Sequence, residues 1–169
     1  MRIVAPAIIP LLFCTVGAVA RSQPATAAIG RIWTEYRTAA SFERIRDYFR
    51  GEDDLQSEHV FRTRPDSRDG YYFLVRIENA SAPISDAVFE ISVIMPGTVV
   101  PRAFPFRADI PEGDTAMNLG ITGADWPGEG VRPLAWQVRL IRPTGGSGTI
   151  IAESQSFLWS KPAAAPATE

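Results

Sequence analysis

The sequence predicts an all-β fold: a single antiparallel β-sandwich of about seven strands with one short N-terminal α-helix. The first observation is an alternation of apolar and polar residues, clearest in Tyr71–Asn79, whose inward side is Phe73, Val75 and Ile77. The second is the turn residues that separate such segments at short intervals. The third is that helical segments do not alternate with the strands, as they would around a parallel sheet.

The N-terminus has the composition of an export signal. Met1-Arg2 precedes an apolar run, and Ala18-Val19-Ala20 fits the pattern of a cleavage site, so we expect residues 1–20 to be a cleaved signal peptide. Ala25-Thr26-Ala27 is a second candidate for the cleavage site. The mature chain is then expected in the periplasm or outside the cell, without a membrane span. Cys14, the only cysteine, lies in this segment, which leaves no thiol for a disulfide or a thiolate metal site.

The composition is that of an ordinary globular domain. Of 169 residues, 46% are hydrophobic and 21% are charged, and the formal net charge is -2. Removal of residues 1–20 would take away Arg2 and no acidic residue. Such a small negative charge gives no reason to expect nucleic acid or anionic lipid as a partner. Nearly all the basic residues are arginine, which we interpret as the composition of a GC-rich bacterial genome.

Two elements are predicted ahead of the main run of strands. Residues 21–37 read as a lead-in arm or an edge strand, because their alternation is weak. Residues 38–51 are predicted to form a short amphipathic helix that Ser41 can cap. Its apolar residues recur at intervals of three and four: Phe42, Ile45 and Phe49. A helix this short is not stable alone, so we expect it to dock on an end or an edge of the sheet.

Residues 59–161 hold the predicted sandwich, and residues 162–169 are predicted to be a disordered tail. We expect His59–Arg64 to form a hairpin with Tyr71–Asn79. Further strands are predicted where the alternation returns: Ala87–Met95, Val99–Ile110, Thr115–Thr122, Leu134–Ile141 and Thr149–Trp159. Two prolines in the second of these place it at an edge or at a bend between sheets.

The expected architecture resembles that of immunoglobulin and fibronectin domains, and a closed barrel is the alternative. The Cys…Trp…Cys signature of immunoglobulin domains is absent. The resemblance is therefore one of architecture alone and implies no function.

Trp126 is the candidate binding residue. It lies in a segment rich in Gly and Pro, residues 123–130, where a strand is not expected, and Asp125 and Glu129 flank it with polar groups. In such a loop a tryptophan can stack on a sugar ring or anchor a protein partner. The alternative is that it folds back and fills one end of the sandwich.

Neither a catalytic nor a metal centre is predicted, and no cofactor is expected. His59 is the only histidine and no Gly-x-Ser-x-Gly elbow is present, so we interpret it as a structural residue. The carboxylates at residues 52–54, and those of Asp66 and Asp69, lack the spacing of a calcium loop. Turn formation and solvation explain both groups.

The sequence therefore predicts a non-catalytic exported module. It would act by protein–protein interaction or as a structural or assembly accessory of the bacterial cell envelope, with an envelope protein or a surface glycan as partner. One alternative is a carbohydrate-binding module that uses Trp126. A second is a small hydrolase that uses His59 or a pair of carboxylates brought together by the fold.

Overall fold

The computed structural model describes residues 27–42, 59–144 and 147–159, and nearly all of its regular structure is β-strand. Eight strands occur in these ranges: β1 (Ala27–Arg37), β2 (His59–Arg62), β3 (Gly70–Asn79), β4 (Ile84–Ile94), β5 (Arg102–Ile110), β6 (Gly113–Thr122), β7 (Ala135–Thr144) and β8 (Ser147–Gln155). A short 3-10 helix, Gly123–Asp125, follows β6. The predicted all-β class is confirmed.

The strands form two sheets of four rather than one closed sheet. The order of the first sheet is β1-β3-β6-β2, and that of the second is β5-β4-β7-β8. Neighbouring strands are antiparallel in every pair except β2 and β6, which run parallel. The architecture is therefore not purely antiparallel, and β1 and β2 form the two edges of the first sheet.

The predicted hairpin between His59–Arg64 and Tyr71–Asn79 is wrong. Strand β6 lies between β2 and β3, so these two strands are not neighbours. The chain after β2 is held instead to the end of β6, because the Thr63 amide donates to the Gly120 carbonyl at 2.9 Å. The Arg64 amide likewise donates to Thr122 Oγ1 at 3.0 Å.

Both sheets contribute one face to a single hydrophobic core. The inward positions of β3 predicted from the alternation, Phe73, Val75 and Ile77, have no solvent exposure. Phe73 in the first sheet meets Trp136 in the second edge to face, with ring centroids 5.9 Å apart. The central strands add further fully buried side chains: Phe89, Ile91, Met117, Leu119, Ile121, Val138 and Leu140.

Of the predicted helix 38–51, only the first turn lies within the described ranges, where residues 39–42 are helical. Asp69 anchors this turn, because its carboxylate accepts a 2.6 Å hydrogen bond from the Ala39 amide. Ser41 is inside the turn and donates to the Thr38 carbonyl, so it does not act as the cap. The rest of the helix lies outside the described residues, as do the predicted signal peptide, 1–20, and the tail, 162–169.

Phe42 contacts the outer face of the first sheet rather than an edge. Its ring meets Tyr72 edge to face, with centroids 5.0 Å apart. The guanidinium groups of Arg37 and Arg62 lie over the same Phe42 ring, at 5.6 and 5.4 Å. Tyr72 itself lies over Gly120, where an added methyl group would come within 2.4 Å of its ring.

One end of the domain collects most of the loops that bear on function. The strand registers place the ends of β1, β2 and β6 beside the start of β3, and the ends of β4 and β8 beside the starts of β5 and β7. The contact of Phe73 with Trp136, near the starts of β3 and β7, brings these two sheet ends together. The loops β2–β3, β4–β5 and β6–β7 therefore meet at this end, which we call the loop end.

Candidate functional site

Trp126 lies at the loop end but is buried, with 5% exposure. Its ring stacks on Tyr71 with centroids 4.6 Å apart and planes 17° apart. The chain turns inward there because Gly123 adopts a φ of +59° and the Trp126 amide donates to the Gly123 carbonyl at 3.1 Å. The indole fills an end of the core and presents no face to a sugar, so Trp126 does not offer the stacking platform of the carbohydrate-binding hypothesis.

The flanking residues of the predicted site have other environments. The guanidinium of Arg64 holds the Asp125 carboxylate through two hydrogen bonds, of 2.9 and 3.2 Å. The bond from Arg64 is the main reason that the pKa of Asp125 lies below its usual value. Glu129 is exposed. Of Trp126, Asp125 and Glu129, one is core, one is ion-paired and one faces solvent.

His59 lines an open groove of about 400 Å³ between β2 and β5, with Phe61, Asp86, Arg107, Ala108 and Asp109. The charged groups of the groove are engaged with one another. Arg107 contacts the Asp86 carboxylate at 3.1 Å, and Asp109 accepts a 2.8 Å hydrogen bond from the Asp86 amide. His59 stacks on Phe61 with centroids 6.4 Å apart. Among the described residues, the lining holds no serine, threonine or cysteine for His59 to activate, so it does not support the His59 form of the hydrolase alternative.

Metal binding and membrane crossing can each be assessed for the part of the chain that the structure describes. No group of three His, Cys, Asp or Glu side chains there is arranged to hold a metal ion. No helix in those ranges combines the length and the apolar character that crossing a bilayer requires.

A cluster of exposed apolar side chains was not predicted from the sequence. Seven large hydrophobic residues in the described ranges are exposed, and five of them lie at the loop end of the second sheet. We call these five the apolar ridge: Val99, Val100, Leu134, Phe157 and Leu158. Val99 is 89% exposed and Phe157 is 83% exposed, so their side chains project from the surface. Such a concentration is unusual, because exposed apolar residues are normally scattered singly.

The β4–β5 loop fixes the first part of the ridge. Gly97 has a φ of +81°, and both the amide and the hydroxyl of Thr98 donate to the Met95 carbonyl at 3.1 Å. Pro96 and Pro101 bracket the loop and restrict its backbone. Val99 and Val100 therefore lie just after a tight turn whose tip is Pro96-Gly97, in the short segment that leads to Pro101 and β5.

The remaining ridge residues are placed by β7 and β8. The Leu134 amide donates to the Ile94 carbonyl at 2.8 Å, which sets Leu134 beside the end of β4. After β8, the Ser156 amide donates to the Trp136 carbonyl at 2.8 Å, and Ser156 Oγ accepts from the Trp136 amide at 2.9 Å. The Trp159 amide then closes a turn on the Ser156 carbonyl at 3.1 Å. This turn carries Phe157 and Leu158.

The charges at the loop end are divided between the two sheets. The segments that carry the ridge, residues 95–102, 131–136 and 155–159, contain Arg102 and Arg132 and no acidic residue. Both arginines are exposed. Among the described loops of this end, the carboxylates belong to the first-sheet side: Asp66, Asp69, Asp125 and Glu129. The two groups of charge meet where Arg102 helps to lower the pKa of Asp125. The ridge is therefore apolar at its tips and basic at its margin.

The ridge left a weak signal in the sequence. Val99 and Val100 lie between Pro96-Gly97 and Pro101, which together mark a loop, yet alternation alone assigned them to a strand that starts at Arg102. Phe157 was likewise assigned to a strand that ends at Gln155.

Comparison of the chain with protein-family models, with curated proteins and with solved structures finds no match in any of the three.

Proposed function

We propose that this chain is a non-catalytic exported module that acts by docking on another component of the bacterial cell envelope. The docking would be a protein–protein interaction or the contact of a structural or assembly accessory. The apolar ridge carries the proposal, because a cluster of exposed apolar side chains at one end of a domain is the usual mark of an interaction surface.

We also infer that the two sheets pack as an immunoglobulin-like or fibronectin-like sandwich. The shared core and the contact of Phe73 with Trp136 support this architecture, and the parallel β2–β6 pair is its main departure from those domains. Nuclear Overhauser contacts between the Phe73 and Trp136 rings are expected in solution. Their absence would mean that the sheets do not face each other in this way.

Export is the second part of the proposal, and it rests on the composition of residues 1–20. Amino-terminal sequencing of the protein from an envelope extract should find Arg21 as the first residue. Recovery of a chain that begins at Met1 in the cytosolic fraction would overturn the export component without touching the ridge.

The docking component can be tested with a photo-reactive amino acid, p-benzoyl-phenylalanine, at position 99. The matched control carries it at Ile150, which is 50% exposed and lies on β8 toward the opposite end of the same sheet. We expect irradiation of native envelopes to give cross-links from position 99, to a specific protein or to lipid, and not from position 150. The same products from both positions, or none from position 99, would contradict the proposal.

A further inference from the structure

We propose that the component on which the apolar ridge docks is the surface of a lipid bilayer. The ridge would insert its tips shallowly, while Arg102 and Arg132 would contact anionic headgroups. This inference rests on the proposed function and names the partner of the same surface.

The shape of the ridge favours a fluid partner over a folded one. The core of a protein interface is usually a patch of aromatic and arginine side chains that fit shaped pockets on the partner. The ridge consists of projecting tips, with Val99 and Val100 on one turn and Phe157 and Leu158 on another. Acyl chains rearrange around such projections, so insertion needs no matching pockets.

The local charge points in the same direction, although the net charge of the whole chain gave no reason to expect lipid. The ridge segments carry two exposed arginines and no carboxylate, while the acidic residues of the loop end lie over the first sheet. Basic side chains beside inserted apolar ones favour membranes that contain anionic lipid. Arg102 also acts electrostatically on Asp125, whose pKa it helps to lower, so Arg132 is the ridge arginine farther from that carboxylate in charge terms. The lack of carboxylates in the ridge segments orients the second-sheet half of the loop end toward the membrane.

Vesicle flotation tests the inference with the protein in the form that the cell exports. The probes are vesicles of phosphatidylcholine alone and of phosphatidylcholine with phosphatidylglycerol. We expect flotation with both, stronger with phosphatidylglycerol, and a decrease of at least about tenfold in the partition coefficient for the V99D/V100D variant. The control Ile150→Asp introduces a carboxylate on β8 and should float like the parent chain. The R102Q/R132Q variant should lose the preference for phosphatidylglycerol and keep the residual binding.

The outcomes separate this inference from the proposed function. Absence of flotation, or flotation that V99D/V100D leaves unchanged, would overturn the lipid inference. If position 99 nevertheless cross-links to one protein, the docking function stands with a protein as its partner. A dimer in solution that V99D/V100D dissociates would show that a second copy covers the ridge, and it would also overturn the lipid inference. Failure of both flotation and cross-linking would remove the two proposals together.

Discussion

The two halves of the loop end treat their apolar side chains in opposite ways. Over the first sheet, Trp126 folds inward and stacks on Tyr71, and only 5% of it is exposed. Over the second sheet, Val99 and Val100 project into solvent from the β4–β5 loop. Both loops are rich in Gly and Pro, so composition alone does not decide whether a loop residue becomes part of the core.

The difference lies in the backbone that each loop can adopt. After β6, Gly123 at a φ of +59° and the 3-10 turn that follows redirect the chain over the core, where Trp126 finds the Tyr71 ring. The β4–β5 loop closes on itself within a few residues, between Pro96 and Pro101. The loop is therefore too short for Val99 and Val100 to fold back onto the core.

The largest expected effect on stability is at Trp126, the buried residue of the first-sheet half. Trp126→Ala should lower the free energy of unfolding by about 3–5 kcal/mol, because it removes a buried ring and leaves a cavity against Tyr71. Urea denaturation measures the change. The control Val99→Ala deletes apolar atoms at an exposed position and should change the stability by less than about 0.5 kcal/mol. Equal effects of the two substitutions would remove the distinction between the halves.

Trp126→Phe sharpens the same prediction. Among the described residues, the buried indole Nε1 has no hydrogen-bond partner, so its removal forfeits no bond there. The phenylalanine ring should therefore retain a substantial part of the stability that the alanine loses. A loss as large as that of Trp126→Ala would mean that the ring stack contributes little.

The next largest effect on stability is expected at Gly123, whose backbone conformation turns the chain inward. Gly123→Ala should cost about 1–2 kcal/mol, because a left-handed conformation is unfavourable with a Cβ atom. That atom would also come within 3.1 Å of Ser67 Cβ. Gly130→Ala is the control in the same loop, since its Cβ would meet nothing within 4 Å and its φ is ordinary. Thermal denaturation of both variants should show a lower midpoint for Gly123→Ala only.

The faces of the strands were predictable, and their neighbours were not. Phe73, Val75 and Ile77 are buried, as the alternation indicates. Successive side chains of a strand point to opposite faces, so alternation identifies the apolar face directly. Alternation does not identify the neighbouring strand. The sequence therefore led to a predicted pairing of β2 with β3, whereas the structure pairs β2 in parallel with β6. Long-range pairing depends on contacts that a local pattern does not contain.

The site was harder to predict than the fold for a related reason. The prediction that Trp126 lies in a loop is correct, but its burial depends on the backbone conformation of Gly123. A glycine allows a positive φ, but its presence in the sequence does not show that the residue adopts one. Asp125 is polar by residue type, but its ion-pair partner, Arg64, lies 61 residues earlier in the chain. The ridge is assembled from three separate segments, and none of them is apolar enough by itself to indicate a surface.

The ion pair on the first-sheet side should give a smaller, pH-dependent effect. Because the pKa of Asp125 is lowered in the folded state, its contribution is present above the pKa of the unfolded chain and is lost as pH falls through the folded value. Arg64 is largely exposed, so solvent screens the pair and the contribution should be small. Asp125→Asn should therefore destabilise the protein slightly at pH 7, and the difference from the parent chain should shrink in acid. A difference that persists below the folded pKa would indicate a packing role for the side chain instead.

The smallest expected effect belongs to the exposed side, and it is the most demanding test of the comparison. V99D/V100D places two charges on side chains that make little contact with the domain, so its unfolding free energy should stay within about 0.5 kcal/mol of the parent value. Chemical denaturation at moderate salt, which screens the added charges, measures the difference. A larger loss would show that the valines are already covered within the folded chain. In that case the loop end would bury apolar side chains on both halves, and the ridge would not be available to a partner.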